Sequence, residues 1–220
     1  MPFNDIAKNA ALDGLDESIA AGVKYAGVFT TAAAPGLGAT YTGTEASGGS
    51  PAYARIAATF GAASAGQKTN SGTITIDVAA GTYGWIGLFN TATGNVSGNY
   101  LGYAPINGSV KGFGECDSTD VTNDTITSSG HGLTTDDRVQ VFNVFAESLP
   151  AGLTEETLYF VLASGLTADV FKVATTSGGA AINITGQGEL YFQKVIPETF
   201  ASQGQISIAV GQLVLDATAL

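Results

Sequence analysis

From residue 23 onward the sequence consists of short runs of strand-forming residues separated by glycine-rich turns. Several runs alternate apolar and polar side chains, as in Ile74, Ile76 and Val78. A period of two places alternate side chains on opposite faces of a strand, so that one face is buried and the other meets water. The thirteen runs span residues 23–30, 52–60, 72–78, 83–90, 99–106, 122–129, 137–144, 156–163, 169–175, 180–185, 188–195, 205–210 and 212–217. The pattern predicts a mainly β protein with a β-sandwich or jelly-roll-like domain.

The segment 3–21 differs from the rest because its apolar residues recur at roughly helical spacing. Phe3, Ile6 and Leu15 lie on the predicted apolar face of this N-terminal helix. A helix this short and weakly patterned is not stable alone in water. We therefore expect it to dock, either on a partner protein or on the β domain of its own chain.

Charge is scarce and unevenly distributed along the chain. Only 12% of the 220 residues are charged, and the net charge is −11. Residues 115–194 contain eleven acidic and three basic residues, whereas the remainder contains eight and five. Because insertions are tolerated at exposed loops, we predict a discontinuous β domain, 1–113 plus 195–220, interrupted by an inserted acidic β domain, 114–194.

The same composition excludes several functional classes. Binding to nucleic acid or to an anionic membrane needs clustered Lys and Arg, and this chain has eight in total. Cys116 is alone, which excludes an intrachain disulfide and a cysteine-based zinc site. We find neither a secretory signal pattern nor an apolar run of about 20 residues, the length that a membrane helix needs.

The stretch SSGHGLTTDD, residues 128–137, contains the single histidine of the chain, His131. Nearby serines and the carboxylates of Asp136 and Asp137 suggest a hydrolase site. However, nearness in sequence does not provide the geometry of a catalytic triad, and no G-x-S-x-G motif is present. The two glycines that flank His131 favour a turn, and we predict no enzymatic activity and no cofactor.

Three further groups are candidates for binding. Asp117, Asp120 and Asp124 form an oxygen-rich loop that could hold a cation, although the EF-hand pattern is missing and a solvated turn is the simpler interpretation. Trp85, with Tyr83 and Tyr103, could contact a glycan or a protein partner, or pack in the core. Arg55, one of two arginines, is a candidate for a structural salt bridge or a subunit contact.

Ordered short motifs give the chain two resemblances. The succession of GHGL, DRVQV, LPAGL, YFV, FK and TTSGGAAI within residues 117–185 resembles a small β module of bacteriophage virion proteins. The flanking motifs FNDIAKNAALD, GGSPAYAR, YGWIGLFNTATG, YLGY and GQISIAVGQLVLD are similar to a family of phage tail-fibre-like or minor tail proteins.

These resemblances imply a non-enzymatic virion structural protein that decorates the capsid or forms part of the tail or fibre apparatus. Its partners would be other virion proteins, and it would be synthesised in a bacterial cytoplasm. A carbohydrate-binding module for host adhesion is the alternative. Because repeated structural proteins usually form closed symmetric contacts, we also expect a homo-oligomer, with a trimer as the first candidate.

Overall fold

A computed structural model describes residues 23–31, 34–36, 38–116, 118–143, 148–155 and 157–216. The predicted N-terminal helix, with Phe3, Ile6 and Leu15, lies outside these residues. Within them the chain forms strands and no helix, and therefore no helix that could span a membrane. Ten strand pairs among these residues are antiparallel. The prediction of a mainly β protein is confirmed.

In chain order the described strands are β1 Lys24–Thr30, β2 Ile56–Ala58, β3 Gln67–Thr69, β4 Ile74–Val78, β5 Gly81–Phe89, β6 Tyr100–Pro105, β7 Asn107–Cys116, β8 Ser118–Asp120, β9 Thr125–Thr127, β10 Arg138–Phe142, β11 Leu158–Val161, β12 Val170–Phe171, β13 Val173–Ala174, β14 Leu190–Ile196, β15 Glu198–Phe200, β16 Gly204–Ile208 and β17 Val214–Asp216. They belong to two compact units. In the described ranges, the first unit contains residues 23–30, 35–103 and 199–216, and the second contains 31, 34 and 104–198. The boundaries predicted from charge, at 113/114 and 194/195, fall within β7 and β14, and that division stays a prediction.

The first unit contains a sheet with the strand order β15-β5-β1-β2, and β6 also pairs with β5. Gly27 on β1 lies opposite Gly87 on β5. A Cβ atom on Gly27 would lie 2.6 Å from the Tyr53 hydroxyl, and one on Gly87 would lie 2.5 Å from the Phe29 ring. Glycine at both positions therefore leaves the space that the aromatic side chains of this unit occupy.

Two smaller sheets complete the first unit, where β4 pairs with β16 and β3 pairs with β17. Ile74, Ile76 and Val78 are buried, as their alternation predicts. The fully buried Asn70 fixes the turn that joins β16 to β17, because its amide nitrogen donates to the Ala209 carbonyl and its amide oxygen accepts from the Leu213 N–H. A buried amide is stabilising only when its donors and acceptors are paired in this way.

The second unit has a sheet with the order β13-β11-β10-β14-β7 and a smaller one with the order β12-β9-β8. Its core contains Val139, Tyr159, Phe171 and Phe192. The run 180–185, which the sequence pattern predicts to be a strand, is irregular. Its backbone hydrogen bonds do not form a ladder: the Ile184 N–H, for example, donates to the Asp124 carboxylate.

Candidate functional site

Arg55 forms a two-point ion pair with Glu45 inside the first unit. Its Nε donates to Oε1 of Glu45 at 2.7 Å, and its Nη2 donates to Oε2 at 2.8 Å. The Arg55 side chain is 2% exposed and that of Glu45 is 16% exposed. This parallel geometry matches the planar guanidinium to the carboxylate, which a lysine cannot do. Of the two roles considered for Arg55, the structure shows the salt bridge.

Two tyrosine hydroxyls also donate hydrogen bonds to the Glu45 carboxylate. The Tyr53 hydroxyl donates to Oε1 at 2.8 Å, and the Tyr41 hydroxyl donates to Oε2 at 2.7 Å. Burial opposes ionisation of Glu45, but the hydrogen bonds from Arg55, Tyr41 and Tyr53 outweigh it, so the pKa of Glu45 is lowered. Burial, followed by the nearby Glu45 charge, raises the pKa of Tyr53. The cluster therefore contains one carboxylate, one guanidinium and two neutral phenols near neutral pH.

Arg55 also fixes the loop between β5 and β6, residues 90–99. Its Nη1 donates to the Thr91 carbonyl at 3.2 Å, and its Nη2 donates to the Gly94 carbonyl at 3.0 Å. The Asn95 side chain holds the same loop by exchanging two hydrogen bonds with the backbone of Tyr41, at 3.1 and 2.9 Å. The buried ion pair thus orders an exposed loop. We call residues 90–99 the β5–β6 loop.

Two of the three aromatic residues considered for glycan contact, Trp85 and Tyr83, lie in the core of the first unit. Trp85 is 0% exposed and Tyr83 is 3% exposed, whereas Tyr103 is half-buried. The Trp85 ring packs edge-on against the Tyr103 ring, with centroids 5.4 Å apart. The Tyr83 hydroxyl donates to the Ala79 carbonyl. Stacking on a sugar needs an exposed ring face, and in this structure Trp85 and Tyr83 do not offer one.

His131 is buried in the second unit, and the structure gives it a packing role. Its Nδ1 accepts a 2.9 Å hydrogen bond from the Leu133 N–H, and its ring packs edge-on against Phe171. Its Nε2 is buried and has no hydrogen-bond partner among the described residues. A general base in a triad needs one ring nitrogen on the nucleophile and the other on a carboxylate. Neither contact is present in the described part of the chain.

The two carboxylates near His131 in the sequence bind groups other than the histidine. Asp136 accepts from the Ser177 hydroxyl at 2.6 Å. Asp137 accepts from the Thr134 N–H and pairs with Lys194 at 2.6 Å. These bonds close the turn that leads into β10, which agrees with the turn interpretation of the sequence.

The three aspartates of the acidic loop do not form a described cation site. Asp117 lies outside the described residues. The exposed Asp120 accepts from the Asn123 side chain and the Thr122 N–H, which lowers its pKa. Asp124 accepts from the Ile184 N–H. Across the described ranges, no group of three or more His, Cys, Asp or Glu side chains is arranged to hold a metal ion.

Sequence reasoning missed Tyr41 and Glu45, although a signal was present. Glu45 is the single acidic residue between positions 18 and 76, and Arg55 is the single arginine in the same stretch. A lone acid and a lone arginine in an almost uncharged sequence are candidates for mutual pairing, since a buried charge requires a partner.

The model of one protein family, Podophage GP4 fiber I protein gp80, matches residues 3–129. The match covers more than half of the 220 residues. The chain belongs to this family. It is accordingly a fibre-type protein of the phage virion. No curated protein and no solved structure gave a match.

The gp80 family match includes every residue of the Arg55 cluster and the β5–β6 loop. It ends at Ser129, two residues before His131, so most of the second unit lies beyond it. The resemblance to a phage fibre family is confirmed at this level. The separate resemblance of residues 117–185 to an inserted phage module stays a prediction.

Proposed function

We propose that this protein is a non-enzymatic structural component of a phage fibre, exposed on the virion and bound to other virion proteins. The observation that carries the proposal is the gp80 family match over residues 3–129. The fibre is favoured over capsid decoration and over a minor tail location because the family is one of fibre proteins. Synthesis in the host bacterial cytoplasm and homo-oligomeric assembly, with a trimer as the first candidate, are parts of the proposal.

The absence of catalysis is supported by how the structure uses its reactive groups. The Glu45 and Arg55 charges bind each other. His131 accepts from a backbone N–H, and Asp136 and Asp137 bind Ser177 and Lys194. Side chains committed to structural bonds are poor candidates for nucleophile, base or acid.

We further propose that the first unit is a β-sandwich-like domain and that the acidic second domain is inserted into it. The chain leaves the first unit after residue 103 and returns at residue 199, which supports this view. Insertion at a surface loop of a folded domain costs little, because the ends of an inserted domain usually lie close together.

The carbohydrate-binding alternative rests on Trp85, Tyr83 and Tyr103, and the burial of Trp85 and Tyr83 argues against it. A glycan array with the intact protein tests it directly. Binding that disappears in a Trp85→Phe variant that remains folded would support the alternative.

Quantitative mass spectrometry of purified particles tests the main proposal. We expect the protein in every particle at a few to a few dozen copies, as a fibre requires. Hundreds of copies would indicate capsid decoration instead. Absence from particles would overturn the structural role.

A further inference from the structure

The described part of the first unit has an almost uncharged surface. Its charged residues are Lys24, Glu45, Arg55, Lys68, Asp77 and Asp216. Lys24, Arg55 and Lys68 are 5–6% exposed, and Glu45 is neutralised by its ion pair with Arg55. Residues 78–110 contain no charged residue at all. By contrast, residues 104–198 of the second unit contain twelve acidic and four basic residues.

Such a surface has the composition of a protein interface. Soluble surfaces designed to stay monomeric carry roughly 25–35% Lys, Arg, Glu and Asp. Charged residues are depleted where one protein buries another. The second unit carries twelve of the nineteen acidic residues of the chain, which leaves the described surface of the first unit available for assembly.

The absence of charge also indicates the partner. A surface that binds a different protein can carry charges complementary to those of the partner. In symmetric contacts between identical chains, like residues approach one another near the symmetry axis, and like charges there are repulsive. This chain carries −11, so the contact between two copies is least repulsive through a surface that lacks this charge.

Within this surface, the β5–β6 loop is the best-prepared contact element. Residues 92–98 are all exposed, and Val96 is 58% exposed. The loop is held from inside by Arg55 and by the two hydrogen bonds between Asn95 and Tyr41. A loop ordered before binding loses little conformational entropy when it binds. An exposed valine on an ordered loop contributes apolar area to a contact at low cost.

We propose that the uncharged surface of the first unit binds a second copy of this chain, with the β5–β6 loop and Val96 at the contact. The inference rests on the homo-oligomer of the proposed function and assigns the surface through which it forms.

Sedimentation of the intact protein over a range of concentrations tests this inference. We expect wild-type self-association and a weakening of about tenfold or more in Val96→Asp, because the substitution places like charges at the contact. Val121→Asp, an exposed valine of the acidic second unit at 38% exposure, is the control and should associate like the wild type. Added salt should strengthen association, because it screens the net repulsion between the two chains and the proposed contact contains no ion pair that salt would weaken.

The outcomes separate this surface from the oligomer itself. If the wild-type chain is monomeric at every concentration, both the proposed homo-oligomer and the proposed contact surface are wrong. A wild-type oligomer that Val96→Asp leaves intact, or that Val121→Asp weakens equally, overturns the surface alone. If Val96→Asp blocks incorporation into particles without changing self-association, the loop binds another virion protein, and our assignment is wrong. Trp85 fluorescence and circular dichroism should be unchanged in both variants, since the substituted residues are exposed.

Discussion

The guanidinium carbon of Arg55 lies 3.5 Å from the centroid of the Phe89 ring, while the nitrogens of the same group bind Glu45. One side chain thus combines an aromatic contact, an ion pair and two bonds to the β5–β6 loop. The stacked guanidinium is weakly hydrated, so its burial costs less than that of an ammonium group.

Breaking this ion pair from one side should destabilise the first unit strongly. We expect Arg55→Met to lower the free energy of unfolding by about 3–5 kcal/mol, since Glu45 would keep a buried charge without its partner. The double variant Arg55→Met with Glu45→Gln should be more stable than Arg55→Met alone. Urea unfolding followed by Trp85 fluorescence measures both, because Trp85 lies in the same unit. A double variant no more stable than Arg55→Met would contradict the explanation.

The stability of the first unit should depend on pH through Glu45. Its pKa is lowered on folding from an ordinary value of 4.5, so the folded state favours the ionised form. This stabilisation is present above that ordinary value and is lost as the pH falls through the lowered pKa. Other carboxylates also titrate in this range, so the useful quantity is the difference in unfolding free energy between wild type and Glu45→Gln. We expect this difference to shrink as the pH falls below about 4.5. A difference that is constant from pH 7 to pH 3 would be the opposite result.

A structural His131 predicts a specific order of stability among its variants. His131→Ala should lower stability by about 1–3 kcal/mol, because the buried Leu133 N–H loses its acceptor, and by more where packing against Phe171 is lost. His131→Asn should recover part of the loss, because its amide oxygen can take the place of Nδ1. Scanning calorimetry of the intact protein compares the stability of the wild type with that of the two variants. Equal stability of the alanine and asparagine variants would argue against the hydrogen bond.

Two glycines of the second unit provide a matched test of backbone crowding. Gly152 has a φ of +106°, and a Cβ there would overlap the carbonyl oxygen of Asn183. Gly178 has a φ of +64° with nothing within 4 Å. Gly178→Ala should therefore cost about 1–2 kcal/mol, from the left-handed backbone alone. Gly152→Ala should cost about 3 kcal/mol or more, from strain and overlap together. Thermal unfolding of the two variants compares them, and similar melting temperatures would refute the contact with Asn183.

Local sequence patterns predict most of the strands. They fail where a strand forms because it pairs with a segment that is distant in the sequence. Alternation found β4 and β16 because each has one buried face. It also found β10, although Gln140, between Val139 and Val141, is buried as well. The polar strand β3 and the glycine-containing β7 have no such pattern, and they form because β17 and β14 supply their hydrogen bonds. The run 180–185 has the apolar residues of a strand, but its backbone N–H groups donate to scattered acceptors: the Val173 carbonyl, the Asp124 side chain and the Ala151 carbonyl.

The features that concern function also divide into those that local sequence predicts and those that depend on distant segments. A mainly β chain, a shortage of charge and the motifs of a phage fibre family are all readable from the amino-acid sequence, because they depend on composition and on neighbouring residues. The burial of Trp85, the hydrogen bond of His131 to a backbone N–H and the pairing of Arg55 with Glu45 are established by the folded structure. Burial and the pairing of charges depend on which segments pack together. In this protein those segments are separated along the chain by turns whose geometry the sequence pattern does not specify.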